Sequence, residues 1–148
     1  MQNEILEKLV KTTLDHLQVN YECVIKDAED GVLVEITGRE LNHLIGFRGD
    51  TLNALQHFLN CAYYNQSGEY VRVLVDINGY RDQRKDKLED MAKNFIDRVR
   101  FFNQEVEMPA MSPAERRIVH TFVSEYDDVA SESVGVGRDR RVVLKPKK

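Results

Sequence analysis

The stretch Leu44-Ile45-Gly46-Phe47-Arg48-Gly49-Asp50-Thr51-Leu52 restricts this chain more than any other. It reads as the end of a short helix, a Gly-x-x-Gly turn and the start of a second helix. Two glycines bracket one aromatic and one cation, so the backbone can pass close to another molecule with Arg48 facing it. The following helix points its unpaired N–H groups at the same spot, which favours an anionic guest such as a phosphodiester backbone. Phe47 either stacks on a base or shields the turn, Ile45 and Leu52 anchor the two helices in a core, and Asp50 reads as the N-cap of the second helix.

The periodicity on either side is legible. Ile5, Leu6, Leu9, Val10, Leu14 and Leu17 recur at helical spacing over about 2–17. Val19, Tyr21, Cys23 and Ile25 then alternate with polar residues as a half-buried strand, the acidic run 27–31 turns the chain, and Val32, Val34 and Ile36 face inward on a second strand. A short helix over about 39–45 leads to the glycine turn. Leu52, Leu55, Leu59 and Ala62 face inward on a helix over about 51–65, and Val71, Val73, Val75 and Ile77 make a third strand. Asn78-Gly79 marks a boundary. Beyond it, Leu88, Met91, Ala92, Phe95, Val99 and Phe102 form one stripe of a long helix over about 80–103. Residues 105–108 suit a brief strand, and 129–134 with 141–144 suit a hairpin joined by a glycine loop.

A second site begins at Ser112-Pro113-Ala114-Glu115. Serine caps, proline takes the first helical position, and Glu115 closes the capping box. Ile118, Val119, Phe122 and Tyr126 form one side of the helix. Arg116 and His120 lie about 40° apart on the side facing away from that stripe, with Arg117 nearby. Two cations and an imidazole thus crowd the first turns, where the macrodipole also favours an anion.

Charge distribution agrees with an anionic partner despite the net charge of −4. Residues 1–77 carry 6 basic and 12 acidic side chains, whereas 78–148 carry 15 and 13, and the last eleven residues set six cations against Asp139 alone. No apolar run approaches the roughly 18 residues of a membrane helix, and the N-terminus has no signal-peptide character. Cys23 and Cys61 read as buried small hydrophobes in a reducing cytosol. No histidine pair has ligand spacing, so no metal is expected. No Gly-x-Ser-x-Gly elbow, Walker loop or His-Glu-x-x-His helix is found, and Arg116 with His120 lacks a second acid or base for cleavage.

The pattern Ile-Gly-x-x-Gly-x-x-Leu from Ile45 to Leu52, set in the order helix-strand-strand-helix-helix-strand, resembles a bacterial-type KH domain, a single-stranded nucleic-acid binder. Met-x-Pro-x-x-Arg-Arg-x-x-His from Met111 to His120, with the glycine loop and Arg140-Arg141-Val142-Val143-Leu144 after it, resembles the small domain named for Arg-x-x-x-His, the R-three-H domain. One directly following the other is similar to the Jag family of bacterial RNA-binding proteins, also called KhpB, over residues 3–146. The implied fold class is α+β. A type II KH domain, with three strands and three helices, occupies 1–78, and a small α/β R-three-H domain, with three short strands and two helices, occupies 79–148. Many members carry a further N-terminal domain to which nothing here corresponds, so roles of that domain are not carried over.

The resemblance implies a cytoplasmic, non-catalytic protein that binds single-stranded RNA, or single-stranded DNA, without a cofactor. It would act as a post-transcriptional regulator or RNA chaperone linked to cell division or envelope regulation, with a single-KH partner protein and no membrane insertion. The alternative is an adaptor whose KH fold contacts another KH protein or the ribosome. The RNA-binding residues expected are Gly46, Phe47, Arg48, Gly49, Arg116, Arg117, His120, Arg140 and Arg141. Tyr80, Arg81 and Arg84 open the second domain or serve as ion-pair partners.

Overall fold

Three leucine-class side chains spaced four residues apart start the first core. Leu6, Val10 and Leu14 line one face of α1 (Gln2–His16), and each is almost fully buried in a computed structural model that describes residues 2–147. β1 (Glu22–Ala28) and β2 (Gly31–Thr37) form an antiparallel hairpin in register from Glu22↔Thr37 to Ala28↔Gly31. The expected five-residue turn at 27–31 is therefore only Glu29-Asp30, because β1 keeps pairing up to Ala28.

From β2 the chain passes through α2 (Asn42–Ile45), the glycine turn and α3 (Asp50–Ser67) before returning as β3 (Arg72–Ile77). A helical crossover of this length lets β3 pair parallel to β2, from Gly31↔Arg72 to Ile36↔Ile77. The sheet order is β1-β2-β3, which leaves β3 at an edge. Val32, Val34, Ile36, Val73, Val75 and Ile77 alternate onto one face and pack under Leu52, Leu55, Leu59 and Tyr63 of α3. Each such fully buried side chain contributes about 1.5–3 kcal/mol. α2 starts at Asn42, later than expected, since Glu40 has left-handed backbone angles (φ 58°).

Contacts divide the chain into two units, with the division between Arg81 and Asp82. α4 (Tyr80–Phe102), whose first two residues belong to the first unit, supplies Leu88, Ala92, Ile96 and Val99 to the core of the second. Ile96 takes the place expected for Phe102, which is 61% exposed, one turn past the last residue the core covers. β4 (Val106–Glu107), β5 (Val129–Val134) and β6 (Arg141–Pro146) form an antiparallel sheet in the order β4-β6-β5. The hairpin register runs from Val129↔Pro146 to Val134↔Arg141. α5 (Pro113–Val123) begins with the Glu115 N–H donating to Ser112 Oγ at 3.3 Å and Pro113 in the first turn, but the Glu115 carboxylate does not close the expected capping box, because it turns to Arg84.

α5 buries Glu115, Val119 and Val123, while Ile118, Phe122 and Tyr126 are only partly covered. Glu115 is the buried acid of this core, and Arg84 holds it by two hydrogen bonds, Nε–Oε1 at 2.9 Å and Nη2–Oε2 at 3.3 Å. A carboxylate can occupy an inward position because the guanidinium matches its fork geometry.

Candidate nucleic-acid interface

Gly46 ends α2 with φ 73° and ψ −173°, and a Cβ there would overlap the side chain of Thr51. Gly49, at φ 81° and ψ 11°, is the N-cap of α3; Asp50, expected in that role, is already the first helical residue. Its side chain cannot cap because the left-handed turn that starts the helix falls one position earlier. Between the glycines, Arg48 is itself left-handed (φ 54°, ψ 30°), an uncommon state for a residue with a Cβ. This backbone puts Phe47 outside, 73% exposed, with the Arg48 guanidinium 4.8 Å from its ring centroid. Ile45 and Leu52, 8% and 0% exposed, fasten the two flanking helices to the core. Tyr80 backs the turn, its ring lying against Gly49.

An open groove of about 640 Å³ runs along α3 and the edge of β3. Asn53, one helical turn beyond Gly49, starts it; Gln56, His57, Asn60 and Cys61 follow, and Tyr64, Tyr70 and Arg72 close the far end. From Asn53 to Asn65 the helix rises roughly 18 Å, enough for a few nucleotides of single strand. Tyr64 and Tyr70 are 53% and 81% exposed. Cys61 is not buried as expected but lies exposed in this groove, its Sγ 3.6 Å from His57 Nε2, whereas Cys23 is half-buried against the core. The sequence pattern could not pick out these groove residues, because Asn53, Gln56 and Asn60 look like an ordinary solvated face of an amphipathic helix.

The second unit gathers a different set. His120 is set against β5: its Nδ1 and Nε2 lie 2.7 and 2.8 Å from the hydroxyls of Ser131 and Ser133. Burial, and then the positive charges of Arg116 and Arg140, hold the imidazole pKa below its usual value. Arg116, His120 and Arg140 are therefore one cluster. Arg116 Nε is buried with no hydrogen-bond partner among the described residues. Arg140 Nη1 donates to the Gly135 carbonyl at 2.7 Å. The other two expected cations lie elsewhere. Arg117 lines a groove with Lys85, Glu89 and Phe122 on another flank of α5, since one residue turns a helix by about 100°. Arg141 Nε donates to the Asp139 carbonyl, and its Nη1 stands 3.8 Å from Glu107. Among the described residues no group of three or more His, Cys, Asp or Glu side chains is arranged to hold a metal, and no helix is long and apolar enough to cross a membrane.

A parallel edge strand reached through helix, glycine turn and helix, then a capped helix laid on a three-stranded antiparallel sheet, defines a KH domain followed by an R-three-H domain. The family model of the KhpA/KhpB KH domain matches residues 3–75, and that of the R-three-H domain matches residues 86–146. The RNA-binding protein KhpB of Bacillus subtilis is 30% identical over 141 residues, covering 94% of this chain and 68% of that protein. KhpB of Clostridium symbiosum is 32% identical over 133 residues, 90% of this chain and 60% of that protein. With KhpB of Streptococcus pneumoniae the identity is 28% over 91% of this chain. The chain belongs to the KhpB family. It spans 60% of the length of the Clostridium relative and 41% of the pneumococcal one.

Proposed function

We infer that this protein binds single-stranded RNA without catalysis, holding the strand backbone at the glycine turn and its bases in the groove along α3. The observation that carries this reading is the helix the two share: the exposed Phe47–Arg48 pair directly precedes α3, whose flank lines the groove. Relatives named as RNA-binding proteins support the same reading. Exposed aromatics at both ends, Phe47 at the turn and Tyr64 and Tyr70 beyond, suit splayed bases rather than a duplex, because only an unstacked base offers its face. The Arg116–His120–Arg140 cluster adds phosphate contacts that carry no sequence information. His120 is held through both ring nitrogens by serine hydroxyls, which leaves neither poised for proton transfer to a scissile bond. Two free thiols fit a reducing compartment, in keeping with action in the bacterial cytoplasm.

The test is a titration with a single-stranded RNA oligomer beside a thermal melt. Phe47→Asp with Arg48→Asp is expected to weaken binding about tenfold or more, from one lost stacking platform and one lost phosphate contact, while the melting temperature holds because the pair is solvent-facing. Unchanged affinity at unchanged melting would reject the turn as the RNA site and leave the adaptor role. A duplex of equal length should compete poorly.

A further inference from the structure

The amide side chains in the α3 groove are locked in one orientation. Arg81 donates through Nε to the Val75 carbonyl at 2.9 Å, through Nη1 to Asn53 Oδ1 at 3.1 Å and through Nη2 to Gln56 Oε1 at 3.0 Å. The Val75 N–H donates to the same Gln56 Oε1 at 2.9 Å. Two donors converge on one atom, so that atom is the amide oxygen, and a flipped amide would set N–H against N–H. Asn60 completes the row: its Oδ1 accepts from the Val73 N–H at 2.9 Å and its Nδ2 donates to the Val73 carbonyl at 2.8 Å. The outer edge of β3 is thus sealed by side chains at Val73 and Val75, and its backbone is not offered to a base. What stays available is the nitrogen end of the amides. Gln56 Nε2 and Asn53 Nδ2 have no hydrogen-bond partner among the described residues, and three residues apart on a helix they are neighbours.

We propose that Asn53 and Gln56 form a donor-only reading edge that selects bases with a keto oxygen at purine C6 or pyrimidine C4 over bases with an amine at that position, with Arg81 as the positioning residue that holds both amide oxygens. An unrestrained Asn or Gln offers one donor and one acceptor and pairs with the amine and ring nitrogen of adenine. That pairing is closed at Gln56, whose oxygen already accepts from Val75 N–H and Arg81, and Asn53 is turned with its oxygen towards Arg81. Guanine O6 and uracil O4 accept from the amide nitrogens, whereas the amines of adenine and cytosine meet N–H with N–H. Arg72 adds further donors to the same groove, and no carboxylate lines it. This inference rests on the groove being the RNA site.

Gln56→Glu tests it. The substitution is isosteric, keeps an oxygen for Val75 N–H and Arg81, and turns the free donor into an acceptor. Affinities of the full chain are measured for oligo(U) against oligo(C), which reads uracil, and for a GU repeat against an AU repeat, which reads guanine. The wild type is expected to prefer the keto member of each pair, and Gln56→Glu to reduce or reverse that ratio by about three- to tenfold, the scale of one neutral hydrogen bond. The ratio is insensitive to the general loss of affinity from an added negative charge. Arg81→Lys keeps the charge but cannot hold both oxygens, so base preference should fall with little change in salt dependence. Equal wild-type binding within both pairs, or a ratio unmoved by Gln56→Glu at an unchanged melting temperature, overturns the donor edge alone. No RNA binding by the wild type removes the reading of the groove and this inference with it.

Discussion

Gly49 and Tyr80 touch so closely that a Cβ on the glycine would stand 3.0 Å from Tyr80 Cε1. The contact ties the glycine turn to the first residue of α4, and it makes Gly49 intolerant of a side chain for two separate reasons, the positive φ of 81° and the ring behind it.

Gly49→Ala is therefore expected to destabilise the first unit by about 1–2 kcal/mol, the dihedral and the contact both contributing. Calorimetric melting reads the loss. In a Tyr80→Leu background the penalty should shrink, because residues in contact couple. An identical penalty in both backgrounds would show that the ring plays no part.

Arg48 carries strain that serves its position. Asparagine tolerates the left-handed region better than most residues, so Arg48→Asn should change stability by less than about 0.5 kcal/mol. Affinity for single-stranded RNA should nonetheless fall, and the slope of log affinity against log salt should flatten by about 0.7 for one lost phosphate contact. A variant that loses stability and affinity together would indicate that Arg48 holds the turn rather than the strand.

Local signals in the sequence were sufficient for the elements and the turn. The four-residue spacing of Leu6, Val10 and Leu14, the alternation of Val73, Val75 and Ile77, and the Ser112-Pro113-x-Glu115 start each encode a single local structure. What the sequence left open was which polar residues meet. Arg116 and Arg117 are adjacent in the chain and equivalent by composition, yet β5 lies against only one flank of α5 and brings Ser131 and Ser133 to His120. The groove was illegible for the same reason: nothing local says that Gln56 and Asn60 reach across to the edge of β3, because that depends on a parallel pairing closed over a crossover.

His120 makes the second unit sensitive to pH with a definite sign. Its folded pKa lies below the usual 6.5, owing to burial and to Arg116 and Arg140, so the unfolded chain takes up a proton first. The stability contributed is fully present above about pH 6.5 and is lost as pH falls through that value towards the folded pKa. Melting of the wild type between pH 7.5 and 5.5 should decline more steeply than that of His120→Gln. A bound phosphate would offset the two arginines and raise the pKa, so RNA affinity should move the opposite way and strengthen as pH falls.

The basic residues on the second unit fall into two sets. Arg116 and Arg140 both act on His120 and belong to one positive cluster. Arg117 faces Lys85 and Glu89, and Arg141 is engaged by Asp139 and Glu107. Phosphate contact should thus fall on the first pair. Arg116→Ala and Arg140→Ala are each expected to flatten the salt slope by about 0.7, and together by about 1.4, with little dependence on RNA sequence. Arg117→Ala and Arg141→Ala should leave the slope where it is. At pH 7.5 His120→Ala should also leave it nearly unchanged, since a neutral imidazole displaces no counterion. Salt titrations of the five single variants and the double against one oligomer make the comparison direct, and a slope reduced by Arg117→Ala but not by Arg116→Ala would move the strand to the other flank of α5.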